Sequence, residues 1–372
     1  MTAVAQDARA VLLPISRSLT VEPWLQDFLR AGGRSVLLAS SPEEYAARRI
    51  SDERRAAESA ETIRRFTAAV AAASPGPVLA AVDAEPAGVQ RLEHLLPPLP
   101  GRASIAAMPA DALTQAFCGY ARAARDLGVT LFLGPVVDHV TGQNPWLQDR
   151  TLPGGLDEIA RIAVLYAGAV QAAGIIATAK HFPGHSDLAA HPAAEDVTLR
   201  LAREHVERNL EPFRRLIDAG VAAVMVGPVT VAAIDPEHPA ASSRPLVDLL
   251  RRNLGFEGLI VSDDLDLVST MQGRSLGEVA VSSIAAGVEL LLIPGGSAVA
   301  EITQALTSAA GNGQISAAAL ARAAGKVRAL ANRANRPNRA DGADRSDLRS
   351  AHGTPLPDGS PQAQGPKGTP HR

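Results

Sequence analysis

The 372-residue chain has almost no cysteine: Cys118 stands alone. A single thiol excludes an internal disulfide framework. Its setting, AFCGY, reads as the apolar face of a helix, so a buried structural thiol is expected, and nothing adjacent would lower its pKa for nucleophilic work. Aromatic residues make up only 3%, and no stretch interleaves them with basic residues as a nucleic-acid groove would need. Net charge is only −3, too small to favour a polyanion or an acidic membrane surface as partner. No apolar run is long enough to span a bilayer. The opening MTAVAQDARAVLLPISRS lacks the basic segment and apolar core of a secretory leader, so the cytoplasm is the expected compartment. No G-x-G-x-x-G opens a helix after an early strand, which counts against dinucleotide binding, and nothing else calls for a cofactor.

What is present is a regular alternation. Short apolar runs at 10–15, 35–40, 77–83, 129–138, 175–180, 222–229, 259–264 and 289–295 read as strands, with SIAAMP (104–109) as a further possibility. Longer segments between them carry a helical period, as in LDEIARIAVLYAGAVQAAG, where Ile159, Ile162, Tyr166 and Val170 share a face and Gly174 ends the helix. Strands that are apolar throughout suit a parallel sheet covered by helices. Eight such units predict an α/β fold, a (β/α)₈ barrel in a single domain over residues 1–334. Residues 335–372 are rich in Pro, Gly and polar side chains. They cannot bury enough apolar surface to offset the entropy of ordering, so a disordered tail is expected.

In such a barrel the chemistry gathers at the C-terminal strand ends. Four strand candidates end in charge: Asp83, Asp138, Lys180-His181 and Asp263-Asp264. Any one carboxylate there is ordinarily a helix N-cap. Several converging on one mouth would perturb one another's pKa values and form a site. The stretch KHFPGHSDLAAHPAAED (180–196) adds three histidines to this mouth. His181, His185, Asp187 and His191 are conceivable metal ligands, but the Pro-Gly turn breaks helical presentation and their order is no known metal signature, so no metal is expected.

The motifs DAEPAGVQRL, GPVVDHVTGQNPWLQDR, KHFPGHSD and RRNLGFEGLIVSDD, in this order over residues 75–295, resemble family three of the glycoside hydrolases, in its single-barrel β-N-acetylglucosaminidase branch. The resemblance implies a retaining glycosidase acting on terminal β-linked N-acetylglucosaminides of cell-wall type, with a small carbohydrate as its partner and no nucleic acid, membrane or cofactor. It assigns Asp263 as nucleophile, a role a carboxylate at a fixed strand end can fill. It assigns Asp83, Arg150, Lys180 and His181 to sugar binding; a salt-bridged barrel rim is the plain alternative.

Three positions depart from the family pattern. D-x-E-G-G-R becomes Asp83-Ala84-Glu85-Pro86-Ala87-Gly88; a usual histidine is Pro228; and the Asp-Ser-His triplet that supplies the proton becomes His191-Pro192-Ala193. His191 is the substitute acid/base, oriented by Asp187, Glu195 or Asp196; His185 is expected to serve the loop's structure. The alternatives are a weakened barrel that binds or senses a sugar or muropeptide without turnover, and a hydrolytic or phosphorolytic relative with another sugar preference.

Overall fold

The structure, a computed structural model, describes residues 2–336. The expected tail, 335–372, lies outside them from residue 337 onward. Among the described residues eleven strands occur, in chain order: β1 (Leu12–Ser16), β2 (Ser35–Leu38), β3 (Leu79–Asp83), β4 (Leu131–Leu133), β5 (Ile176–Phe182), β6 (Thr198–Leu199), β7 (Ala223–Val226), β8 (Thr230–Val231), β9 (Asp235–Pro239), β10 (Leu259–Ser262) and β11 (Leu291–Ile293). Eight form one parallel sheet in the order β10-β7-β5-β4-β3-β2-β1-β11. Its ends meet: Val261 bridges Leu290 in parallel, and the Ser262 N–H donates to the Leu290 carbonyl at 2.9 Å. The sheet is therefore a closed (β/α)₈ barrel, with all eight expected strands in place.

Alternation along each strand divides the apolar residues into two layers. Leu13, Ile15, Leu37, Leu131, Met225 and Leu292 fill the barrel interior. Leu12, Val36, Phe132, Val224 and Ile260 pack outward beneath the helices. The helix Leu156–Ala172 buries Ile159, Ile162, Tyr166 and Val170, and Gly174 follows it with φ +80°, the left-handed conformation that ends helices. The last helix, Ala317–Ala334, sets Val327, Ala331 and Ala334 against the interior layer, and Asn335 donates to the Val78 carbonyl just before β3. That helix plugs the N-terminal end of the barrel and leaves the C-terminal end for chemistry.

Two expectations need correction. SIAAMP is not a strand: residues Arg102–Ala107 form a short helix that buries only Ile105. Its alanines favour a helix, and a strand at this position would have no barrel neighbour to pair with. Cys118 lies on the helix Ala110–Asp126 as expected, but is half-buried rather than buried. A second sheet, β6-β8-β9, sits on the loops that follow β5 and β7. No helix among the described residues is long and apolar enough to cross a membrane.

Candidate active site

A cavity of about 380 Å³ opens at the C-terminal ends of the barrel strands. Ile15, Leu37, Leu133, Met225 and Leu292, the uppermost interior layer, make its apolar floor. Asp83, Lys180, His181, His191 and Asp263 all line it, so five of the six expected site residues meet there. The sixth, Arg150, does not border it. Its guanidinium lies behind the cavity wall, 5.1 Å from the Tyr45 ring centroid and 5.8 Å from that of Trp146.

Glu85 explains where Arg150 went. Its buried carboxylate accepts from Arg150 Nη2 at 2.6 Å and Nε at 3.1 Å, from Lys180 Nζ at 2.8 Å and from the Val89 N–H at 2.9 Å. Burial works against its charge, but Arg150 and Lys180 overcome that and hold its pKa well below the usual carboxylate range. A Cβ at Gly88 would lie 2.1 Å from Glu85 Oε2 and 3.2 Å from the Arg150 stem. The loop's departure from D-x-E-G-G-R thus has a geometric counterpart: at Gly88 the room for a side chain is taken by this ion pair. Lys180 also reaches Asp83 Oδ1 at 3.2 Å. Burial opposes the Lys180 charge too, and Glu85 and Asp83 raise its pKa above the ordinary value. Asp83 moves up instead, because burial outweighs the attraction of Lys180.

The imidazoles are set by Asp138, which the turn after β4 carries under the site. Its carboxylate accepts from the backbone N–H of His181 (3.0 Å) and His185 (2.6 Å), and pairs with both Nδ1 atoms at 2.8 and 3.1 Å. With Asp138 ionised, each neutral ring carries its proton on Nδ1 and keeps a lone pair on Nε2. Burial lowers the His181 pKa more than Asp138 raises it, so the neutral ring is favoured. Its Nε2 stands 3.8 Å from Asp263 Oδ2, and Trp146 packs on it at 4.4 Å between centroids. His185 is fully buried against Gly227, where a Cβ would fall 2.2 Å from the ring, and it does not line the cavity.

Asp263 follows directly on β10. Its Oδ1 accepts the Asp264 N–H at 2.8 Å, while its Oδ2 is buried without a partner. Asp264 lines the same cavity with its own Oδ1 unpartnered, and burial followed by the Asp263 and Asp266 charges pushes its carboxyl well above the usual range.

His191 is half-buried at the cavity edge. Burial and Arg150 lower its pKa against the opposing pull of Asp263. Its Nδ1 faces the Ala193 N–H at 3.1 Å. None of the carboxylates expected to orient it bonds to its ring: Asp187 lies over Gly142, Asp196 accepts from Gln272, and Glu195 is tied through its backbone carbonyl to Ser269. Pro228, the third departure, offers its carbonyl to Thr270 Oγ1 at 3.2 Å. Among the described residues, no three of His, Cys, Asp and Glu cluster as a metal site. Tyr45 and the anchoring roles of Glu85 and Trp146 were missed by sequence reasoning. SPEEY carries a readable helix-start signal, a capping box of Ser41 and Glu44, but nothing in it says that Tyr45 faces a cavity.

Comparison with known proteins bears on the whole arrangement. Residues 46–330 match the family model described as glycosyl hydrolase family 3 N terminal domain. A β-hexosaminidase of Nitrosomonas eutropha is 33% identical over 244 residues, covering 63% of this chain and 70% of that protein. One of Xanthomonas campestris is 34% identical over 259 residues, covering 66% and 76%. Among solved structures, a glycoside hydrolase family 3 β-N-acetylglucosaminidase from Paenibacillus superposes with a TM-score of 0.80 at 25% identity, covering 96% of this chain. This chain spans 65% of that protein's length. A β-N-acetylhexosaminidase from Beutenbergia cavernae gives 0.78 at 24% identity, covering 89% of this chain and 99% of that one, which supports the fold. By sequence and by fold, the chain belongs to glycosyl hydrolase family 3.

Proposed function

We propose that this protein is a retaining glycosidase that removes terminal β-linked N-acetylglucosamine from cell-wall-type or small glycosides in the cytoplasm. The observation that carries the reading is the unpartnered Oδ2 of Asp263, in a cavity shared with Lys180, Asp83, His181 and His191. Asp263 Oδ2 attacks the anomeric carbon, and the bond to the leaving oxygen breaks as that oxygen gains a proton from His191. The glycosyl-aspartate is then hydrolysed by a water that gives its proton back to the ring. Lys180 and Asp83 hold sugar hydroxyls, and the neutral His181 offers its Nε2 lone pair to another. Arg150 contributes indirectly, by fixing Glu85 and through it Lys180.

A second reading, sugar binding without turnover, draws on one observation. The Ala193 N–H donates to His191 Nδ1, so no carboxylate shares that nitrogen as an acid would prefer, and the ring is held in its neutral form. Two substrates decide between the readings. A 4-nitrophenyl β-N-acetylglucosaminide needs little help from an acid, whereas an N-acetylglucosaminyl disaccharide needs much. The glycosidase reading expects turnover of both. Asp263→Asn should abolish it, by roughly 10⁴-fold or more in kcat. His191→Ala should slow the disaccharide by about 10²-fold or more and the aryl glycoside far less. Saturable binding of N-acetylglucosamine with no turnover of either substrate would select the second reading.

A further inference from the structure

The segment 188–197, which places His191 at the cavity, has no helix or strand of its own, and Ala193, Ala194, Glu195 and Asp196 are exposed. Left to itself, such a stretch would not hold an imidazole at a fixed distance from a nucleophile. One buried residue grips it. Ser269, fully buried in the helix Val268–Met271 that follows the Asp263 loop, makes three hydrogen bonds to the segment. Its N–H donates to the Pro192 carbonyl at 3.0 Å, its hydroxyl donates to the Glu195 carbonyl at 2.7 Å, and that hydroxyl accepts the Val197 N–H at 2.8 Å. Gln272, at the end of the same helix, adds a bond from Nε2 to Asp196 Oδ1 at 3.3 Å.

The first of these bonds falls on the residue next to His191, so the backbone at His191 is tied to the element that immediately follows the nucleophile. The hydroxyl has its proton and an acceptor site engaged with the loop, and Ser269 does not line the cavity. It touches no substrate. The other anchor is at the far end, where the Leu188 N–H donates to the Gln143 carbonyl at 2.8 Å. We propose that Ser269 is a positioning residue that acts through His191, setting the distance between the proton donor and the Asp263 carboxylate. This rests on the glycosidase reading given above. Donor and nucleophile must address one glycosidic bond together, and misplacing a reacting group by about 1 Å can cost about 10²-fold in rate.

The test uses the full chain with Ser269→Ala, which keeps the backbone bond to Pro192 and removes the two hydroxyl bonds to Glu195 and Val197, alone and combined with His191→Ala. On the unactivated disaccharide, Ser269→Ala should lower kcat by about 10- to 100-fold with little change in KM. On the 4-nitrophenyl glycoside the loss should stay within about 3-fold. In the His191→Ala background, Ser269→Ala should add no further loss, because the two changes remove one contribution. Equal losses on both substrates, or losses that multiply in the double variant, would overturn the proposal. A readout without turnover separates it from the glycosidase reading itself. The titration midpoint of the His191 ring, followed by NMR against pH, should move up towards about 6.5 in Ser269→Ala as the loop opens and burial is relieved. An unmoved titration sinks the proposal whether or not the protein hydrolyses anything. If Ser269→Ala does not fold, Gln272→Ala should give the same preference for losing the disaccharide, in smaller degree; equal loss on both substrates there overturns it too.

Discussion

Asp138 decides what His181 can do. A carboxylate that accepts from two backbone amides and two Nδ1 atoms has all its acceptor capacity filled, and this fixes both rings by their Nδ1 protons. Asparagine has the same shape but presents an NH₂ to donors that need an acceptor. In Asp138→Asn, one ring must therefore flip its tautomer or lose its bond. For His181 the flip would turn an Nε2 lone pair into an N–H aimed at Asp263. A wrongly protonated imidazole can cost up to about 10⁴-fold in kcat. Because His181 is proposed to hold sugar rather than to transfer the proton, a loss of about 10²-fold on the aryl glycoside is expected. Steady-state kinetics read that loss, with circular dichroism to verify the fold.

At the scale of elements, each strand end needs the right backbone as well as the right side chain. Directly after β7, Gly227 leaves the space that the His185 ring fills. Gly227→Ala would place a Cβ 2.2 Å from that ring, which is boxed in by Asp138 and Trp146. The expected cost is about 1–3 kcal/mol, seen as a drop in Tm of several degrees by calorimetry, with kcat falling as Asp138 and His181 shift. The barrel strands were legible in sequence because they are apolar runs buried on both faces, punctuated by glycine and proline. The site residues at their ends were legible by motif. Glu85 and Asp138 were visible as charges but not as anchors, since their partners, Arg150 and the 180–185 turn, arrive from distant segments. Tyr45 and Ser269 lie on short helices outside the barrel, where no period marks a cavity wall or a clamp. The sheet β6-β8-β9 escaped notice because two of its strands have only two residues each. The run at 129–138 reads as one strand; β4 itself stops at Leu133, where Pro135 has no N–H to donate, but pairing with β5 goes on through the Gly134 and Pro135 carbonyls to a parallel bridge between Val136 and Lys180. The Val137 N–H donates to the Lys180 carbonyl at 2.7 Å, and this pairing sets Asp138 beside His181.

Across the whole molecule, the perturbed groups predict how stability follows pH. Three histidines, His139, His181 and His191, have pKa values lowered chiefly by burial. As pH falls through about 6.5, the unfolded chain takes up their protons first, so they withdraw stability on acidification. Asp83, Asp264 and Asp266 are raised by burial. They bind protons more tightly when folded, so their contribution is present at low pH and lost as pH rises above the ordinary carboxylate range. Between about pH 5 and 7 the two sets oppose each other, and Tm should change little. Below about pH 4.5 the lowered carboxylates enter as well, and below about pH 3.8, where the raised aspartates are protonated in both states, nothing offsets them. Glu44 and Glu58 are held near about 2 despite burial, Glu44 by hydrogen bonds from the Ser41 and Ser51 backbones, the Ser51 hydroxyl and Arg54, and Glu58 by His94, Arg91 and Arg54; Glu85 and Asp138 lie lower still. The unfolded chain protonates first at these sites, so stability should fall steeply between about pH 4.5 and pH 2. Glu58 tests the assignment, because it accepts from buried Arg91 at 2.6 and 2.8 Å. Glu58→Gln should lower Tm at pH 7, since Arg91 loses its counter-charge. It should also shrink the decline between pH 4.5 and pH 2, since one fewer group then takes up a proton on unfolding. Thermal melts of both proteins across this range would show wild type and variant converging as pH falls; parallel curves would mean that Glu58 is not held low in the folded protein.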